Sequence, residues 1–98
     1  MVKLRWSLLA ADDLESICLY IAKDLERYSK VVAREIISSV DTISEFPYSG
    51  RIVPKYNSEL IREKMIKNYR IIYRVHEKYI EIVRILHQSR HLKNHFEE

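Results

Sequence analysis

The sequence predicts an α+β fold in which an N-terminal strand and an antiparallel helical hairpin pack on a small antiparallel β-sheet. In the first half of the chain, two stretches have apolar residues at the spacing of a helix face. In the second half, three stretches have the residue pattern of β-strands. Both prolines and the only glycine lie between these halves, in residues 47–54. Because 98 residues support only one modest core, we expect a single domain over residues 1–98.

The first elements are a short strand and a helix. In "KLRW" (3–6), Leu4 and Trp6 share one side if the segment is extended, and Ser7 then suits a helix N-cap. One helical stripe follows: Leu14, Ile17, Cys18, Ile21 and Leu25. The chain has no second cysteine for an internal disulfide, so we interpret Cys18 as a buried structural thiol.

A second helix is predicted by Val32, Ile36, Val40 and Ile43, with Ala33 and Ile37 widening the apolar stripe. It should end before "FPYSG", because proline disfavours a continuing helix. Residues 47–54 then form a turn and a crossing segment, and strands follow at 60–66, 69–75 and 79–87. Residues 88–98 are a polar tail or a short helix.

A proposed register for the last two strands can be tested by whether it places the apolar residues together on one face of the sheet. A turn at Glu77-Lys78 pairs Val75 with Ile80 and continues along the strands. The other expected pairs are Arg74 with Glu81, Tyr73 with Ile82, Ile72 with Val83, Ile71 with Arg84 and Arg70 with Ile85. The face that should bury against the helices carries Ile71, Tyr73, Val75, Ile80, Ile82 and Leu86. Arg70, Arg74, Glu81 and His87 then lie on the other face.

The preceding turn, at residues 66–68, is expected to be an odd-length loop or a bulge. An even register would place Arg62 and Lys64 against the helices. In the odd register, Arg62 and Lys64 share the outer face with Arg70 and Arg74. Glu63 and Arg84 then flank Ile71 in one row, and we predict a structural, register-setting ion pair between Glu63 and Arg84.

Charge divides unevenly along the chain. Residues 1–50 carry a net charge of −2, from six basic and eight acidic residues, and residues 51–98 carry +5, from eleven and six. A basic face with tyrosines suits phosphates and stacked bases. A solvated outer face, with Arg74 and Glu81 as a cross-strand pair, is supported equally well.

Membranes and metals are not expected partners. No apolar run approaches the roughly 20 residues of a membrane span, and the N-terminus becomes acidic where a signal peptide would stay apolar. We therefore expect a cytoplasmic protein. His87, His91 and His95 have helical spacing, but no supporting ligand pattern accompanies them, so no metal or other cofactor is predicted.

Several segments together resemble the RelE/ParE toxin family of bacterial and archaeal toxin–antitoxin modules. These are "AADDLESICLYIAKD", "FPYSGRIVP", "LIREKMIKNYRIIYRV" and "IEIVRILHQSRHL", and the resemblance covers residues 4–92. It implies an α+β toxin neutralised by a cognate antitoxin, with which it would form a heteromer. RelE-like members cut mRNA on the ribosome, whereas ParE-like members poison DNA gyrase.

For the RelE-like alternative, the resemblance implies catalytic roles for Arg70, His87 and Arg90. It also implies RNA or phosphate contacts for Arg62, Lys64 and Arg74. The C-terminal tyrosine of some nuclease members is missing from "RHLKNHFEE", and "SGR.VP" with "IRE" is closer to the ParE branch. We therefore favour a gyrase-directed toxin that catalyses no reaction itself. A degenerate member that only binds its antitoxin is a third reading.

Overall fold

The structure, a computed structural model, describes residues 2–89. Its elements, in chain order, are β1 (Lys3–Trp6), α1 (Leu8–Ala22), α2 (Glu26–Glu45), β2 (Arg51–Ile52), a 3-10 turn (Pro54–Tyr56), β3 (Ile61–Ile66), β4 (Tyr69–Val75) and β5 (Tyr79–His87). The two helices and the three long strands agree closely with the ranges expected from the sequence.

The five strands form one sheet in the order β1-β5-β4-β3-β2. The strands from β2 to β5 pair antiparallel, and β1 joins β5 in parallel, so the sheet is mixed. The predicted α+β class is confirmed. The helical hairpin begins at the end of β1 and finishes beside its start, where the Val2 backbone N donates to the Ser44 carbonyl at 3.1 Å.

Both helices pack on one face of the sheet. Ser7 caps α1 as predicted, because its Oγ accepts a hydrogen bond from the Ala10 backbone N at 3.0 Å. The same hydroxyl donates to the Val83 carbonyl at 2.8 Å, which fixes the start of α1 on β5. The buried side chains of α2 include Val32, Ile36, Val40 and Ile43. They meet Ile71, Tyr73, Ile80, Ile82 and Ile85 of the sheet.

The β4–β5 register is as predicted only near the turn. Val75, Arg74 and Tyr73 face Ile80, Glu81 and Ile82, which confirms the first three pairs. A β-bulge between Ile72 and Tyr73 then shifts the register, and the other three expected pairs are wrong by one residue. Ile72 faces Arg84, Ile71 faces Ile85 and Arg70 faces Leu86.

The bulge exchanges residues between the two faces of β5. Ile85 joins the helix-side core, whereas Leu86, expected there, packs in a second apolar cluster. That cluster comprises Val53, Ile61, Ile72, Val83 and Leu86, with Tyr56 against it. The 53–60 segment thus covers part of the outer face, meaning the sheet face turned away from the helices.

The prediction of an odd-length turn after β3 is wrong. Ile66 pairs with Tyr69 across a two-residue turn, Lys67-Asn68, and Lys67 has a left-handed backbone (φ 53°). Arg62 therefore pairs with Tyr73, and Lys64 with Ile71, on the helix side of the sheet. Both side chains remain half-buried rather than buried, because β3 lies near the sheet edge, beyond the main helix contacts.

Neither helix of the described part combines the length and the hydropathy that a membrane span requires.

Candidate functional site

The basic residues of β3 and β4 do not share one face. Arg70 and Arg74 alternate with Ile71 and Tyr73 of the helix-side core, so they lie on the outer face. Arg62 and Lys64 lie on the helix side, opposite Tyr73 and Ile71. The expected common basic face of four residues is therefore wrong.

Glu63 is a buried carboxylate between two arginines. The residue is 2% exposed. Its Oε1 lies 2.9 Å from Nη1 of Arg70, and its Oε2 lies 2.5 Å from Nε of Arg51. A buried carboxylate needs such partners because its desolvation is costly. Arg70 is therefore a structural counter-ion within the sheet.

The expected Glu63–Arg84 pair is wrong. Glu63 and Arg84 do share a row, but Ile72 lies between them, and Arg84 turns to Asp13 of α1. Its Nε and Nη2 lie 2.7 and 2.9 Å from the two Asp13 oxygens, and these bonds raise the pKa of Arg84. Asp13 also accepts from the Ile85 backbone N at 2.9 Å, where β5 extends beyond β1.

The Arg62 guanidinium is bound to the backbone of two loops and is not available as a free cation. Its Nη1 donates to the Gly50 carbonyl and its Nε to the Glu59 carbonyl, each at 2.8 Å. Its guanidinium also lies 4.8 Å from the centre of the Tyr48 ring. Lys64 is less constrained, with Nζ 3.5 Å from Ser49 Oγ.

Lys64 and Lys67 line an open pocket of about 500 Å³ between α2 and β3. The hydroxyl-bearing residues Ser38, Ser39 and Thr42 form its other wall. Lys67 is bound to Glu35, with Nζ 2.9 Å from Oε2, and this pairing raises the pKa of Lys67.

Tyr73 anchors the turn that follows α2. Its hydroxyl donates to the Pro47 carbonyl at 2.8 Å and accepts from the Gly50 backbone N at 2.9 Å. Burial, the largest influence, raises the pKa of the Tyr73 phenol. A Cβ on Gly50 would lie 2.6 Å from Tyr73 Oη and 2.7 Å from the Glu63 carbonyl, so glycine is required there by space.

Arg70 and His87, the two residues of the expected catalytic set that the structure describes, do not converge. His87 pairs with Tyr69, whose ring packs on the helix-side core, whereas Arg70 lies on the outer face. The His87 ring meets Ser89, with Nδ1 2.9 Å from Oγ. General acid–base groups must reach the same reacting atoms, and these two lie on opposite sides of the sheet. Arg90 lies outside the described residues.

The described residues 2–89 contain no group of three or more potential metal ligands. Of the three histidines with helical spacing, only His87 falls in this part of the chain; His91 and His95 lie outside it. Arg74 is exposed on the outer face, and Glu81, its cross-strand neighbour, contacts His76 at 3.0 Å.

An apolar groove of about 430 Å³ lies along the helical hairpin. It is lined by Trp6, Ala11, Leu14, Glu15, Cys18, Ala33 and Ile37. Cys18 is thus half-buried at the groove rather than fully buried as expected. Leu8 and Leu19 continue the α1 side of the groove at helical spacing, and Leu8 is 86% exposed.

The sequence predicts that both helical stripes lie in the core, and none of the residues lining this groove is among the predicted site residues. The available signal was the number of apolar residues outside the α1 stripe, among them Leu8, Leu9 and Tyr20, all of which are exposed. A helix that is apolar on several sides needs more cover than one sheet provides.

Comparison with known proteins identifies a family and solved structures of similar fold. A solved structure described as "Chromosomal ParDE TA system from P. aeruginosa" has a TM-score of 0.75 at 22% sequence identity. The match covers 89% of this chain and 96% of that chain, and at this identity it supports the fold alone. No curated protein matches the sequence. Residues 4–92 match the family described as "ParE toxin of type II toxin-antitoxin system, parDE". The chain therefore belongs to the ParE toxin family of type II toxin–antitoxin systems.

Proposed function

We propose that this toxin inhibits growth by binding DNA gyrase and that it cleaves no RNA itself. The observation that carries the proposal is the separation of Arg70 and His87 on opposite faces of the sheet. A ribonuclease of the RelE type would need cations, a base and an acid around one scissile phosphate. The gyrase target itself rests on the ParE family membership.

The hydrogen bonds and ion pairs that Arg62 and Arg70 make within the fold also support the proposal that the toxin cleaves no RNA. Arg70 neutralises the buried Glu63, and Arg62 holds the carbonyls of Gly50 and Glu59. RNA cleavage builds negative charge on the reacting phosphate, and stabilising that charge requires guanidinium groups aimed at it. These two instead stabilise the fold.

We further propose that a cognate antitoxin neutralises the toxin by laying an apolar helix face in the hairpin groove. The groove walls are almost entirely apolar, and the exposed Leu8 and Leu19 extend them. Burying this surface would contribute about 25 cal/mol per Å². Glu15 is the charged residue in the lining, so a basic residue at the margin of the antitoxin helix would complement it.

Two assays on the same preparation test the gyrase proposal. Purified toxin is added to a gyrase supercoiling reaction, and abundant transcripts from briefly induced cells are analysed by primer extension. Inhibited supercoiling with intact transcripts is the expected result. Codon-phased cuts with normal supercoiling would establish the nuclease alternative, and growth without either effect would leave only an antitoxin-binding module. The Glu63→Ala variant serves as a destabilised control, since it removes the carboxylate between Arg51 and Arg70.

A further inference from the structure

The two layers of the molecule carry opposite charge. Residues 8–45, which form the helical hairpin, hold four basic and eight acidic residues, a net charge of −4. The whole chain carries +3, so the remaining residues carry +7. The sheet and its loops are thus strongly basic, and a surface of this kind attracts polyanions.

The exposed part of this charge includes a row across the outer face. Arg5 of β1, Glu81 of β5 and Arg74 of β4 are direct neighbours in the sheet register. Lys3 stands two residues before Arg5 and faces the same way, because Leu4 and Trp6 point into the core. The three cations are exposed, and with Glu81 they define the outer row.

Side-chain packing supports the geometry of the outer row. The Arg5 guanidinium lies 4.3 Å from the centre of the Tyr79 ring, and Tyr79 stacks on His76 at 4.3 Å with an interplanar angle of 13°. His76 in turn contacts Glu81 at 3.0 Å. Arg5 is therefore held in place, while Arg74 projects from the next strand but one, about 10 Å away at the usual strand spacing.

The composition of the outer row favours a nucleic-acid backbone over a protein. Protein interfaces centre on buried aromatic and aliphatic anchors and are poor in lysine. Among the described residues, none of the large exposed apolar side chains lies in β1, β4 or β5. Backbone contacts with DNA need only cations placed on a polar surface.

We propose that the outer row binds the phosphate backbone of double-stranded DNA through Lys3, Arg5 and Arg74, without sequence preference. This activity is separate from the binding of gyrase. It would allow the toxin to hold DNA directly while its target acts on that DNA.

The test is binding of the purified full-length toxin to a fluorescent DNA duplex between 50 and 200 mM salt, followed by fluorescence anisotropy. Three phosphate contacts predict an affinity loss of roughly 40-fold over this range, because each contact contributes about 0.9 to the salt slope. Arg74→Gln and Lys3→Gln should each lower the slope by about 1. Arg27→Gln is the matched control, since it removes the same charge from an exposed position on α2.

The outcomes are distinct. Binding with the expected slope, weakened by Arg74→Gln and Lys3→Gln but unchanged by Arg27→Gln, would support the proposal. No binding at 50 mM salt, equal weakening by Arg27→Gln, or binding only to RNA or to a polyglutamate peptide would overturn it. Thermal melts of each variant verify folding. Because the assay contains no gyrase, its failure is independent of the gyrase proposal.

Discussion

Nη1 of Arg70 lies 2.9 Å from Oε1 of the buried Glu63. Arg70 of β4 is therefore tied to an acid from the neighbouring strand β3. Removal of one partner from such a pair leaves a buried charge without compensation, which is far more costly than loss of a surface ion pair. The pair allows the structural and the catalytic roles of Arg70 to be separated by mutation.

Glu63→Gln should destabilise the toxin by about 3–5 kcal/mol, because an amide cannot neutralise the two arginines that meet Glu63. The free energy of unfolding in urea measures the change. Glu59→Gln is the control: this exposed residue should alter stability by less than about 0.5 kcal/mol. Equal stability of the two variants would contradict the structural role of Glu63.

Arg70→Met should likewise destabilise the toxin and reduce its toxicity in proportion. The double variant Glu63→Leu with Arg70→Met should recover most of the lost stability, because well-packed apolar residues replace a buried ion pair at little cost. If Arg70 is structural, toxicity returns with stability. A stable double variant without toxicity would instead show that the Arg70 guanidinium acts on the target.

Tyr73→Phe should cost about 1–3 kcal/mol, because the Gly50 N–H and the Pro47 carbonyl both lose their partner. The variant should also change the pH dependence. The folded-state pKa of Tyr73 is raised, so its contribution is complete below the ordinary value of 10.0 and declines as pH rises through the folded-state pKa.

Urea titrations at pH 8 and at pH above 10 measure this effect. Stability of the wild-type toxin should fall over that interval, and Tyr73→Phe should fall less. The pKa of Tyr69 is also raised by burial, so Tyr69→Phe is the comparison for a tyrosine without the Gly50 contact. An identical pH dependence in wild type and Tyr73→Phe would exclude this role of the phenol.

Gly50→Ala should destabilise the toxin by about 1–3 kcal/mol through overpacking, because the added methyl would meet the Glu63 backbone carbonyl. Combination with Tyr73→Phe removes the contact with the hydroxyl and leaves two close contacts, with the Glu63 carbonyl and with the ring at position 73. The double variant should therefore remain less stable than Tyr73→Phe alone, as measured by thermal unfolding. Equal stability of these two variants would place the strain on the hydroxyl alone.

The sequence allowed the helices, the strand ranges and the Ser7 cap to be predicted, because each depends on local spacing. The parallel pairing of β1 with β5 joins residues 76 positions apart, and local patterns carry no information about it. The bulge, which leaves Val83 of β5 without a register partner in β4, was missed for a related reason. In "YIEIVRILH" the apolar residues are nearly continuous, so a shift by one residue still buries apolar side chains.

The placement of the site residues failed at the Lys67-Asn68 turn. The odd-length turn was predicted because charged side chains such as Arg62 and Lys64 were expected to avoid the helix side of the sheet. The helices do not cover β3 fully, so both side chains can lie on that side. The carbonyls of Gly50 and Glu59 provide acceptors for Arg62 there. A two-residue turn between two β-type runs was the signal for the observed register.

The groove prediction concerns Ile37, which lines the hairpin groove and is 44% exposed. Ile37→Asp should weaken binding of the cognate antitoxin by at least tenfold, because a carboxylate would be desolvated against an apolar helix face. Leu60→Asp is the matched control, since Leu60 is 42% exposed but lies outside this groove. Isothermal titration of each variant with purified antitoxin gives the affinities, and thermal melts verify that both fold.

Because the groove lies on the opposite side of the sheet from the outer row, Ile37→Asp should leave DNA binding unchanged. Equal effects of the two substitutions on antitoxin binding would place the antitoxin elsewhere on the toxin.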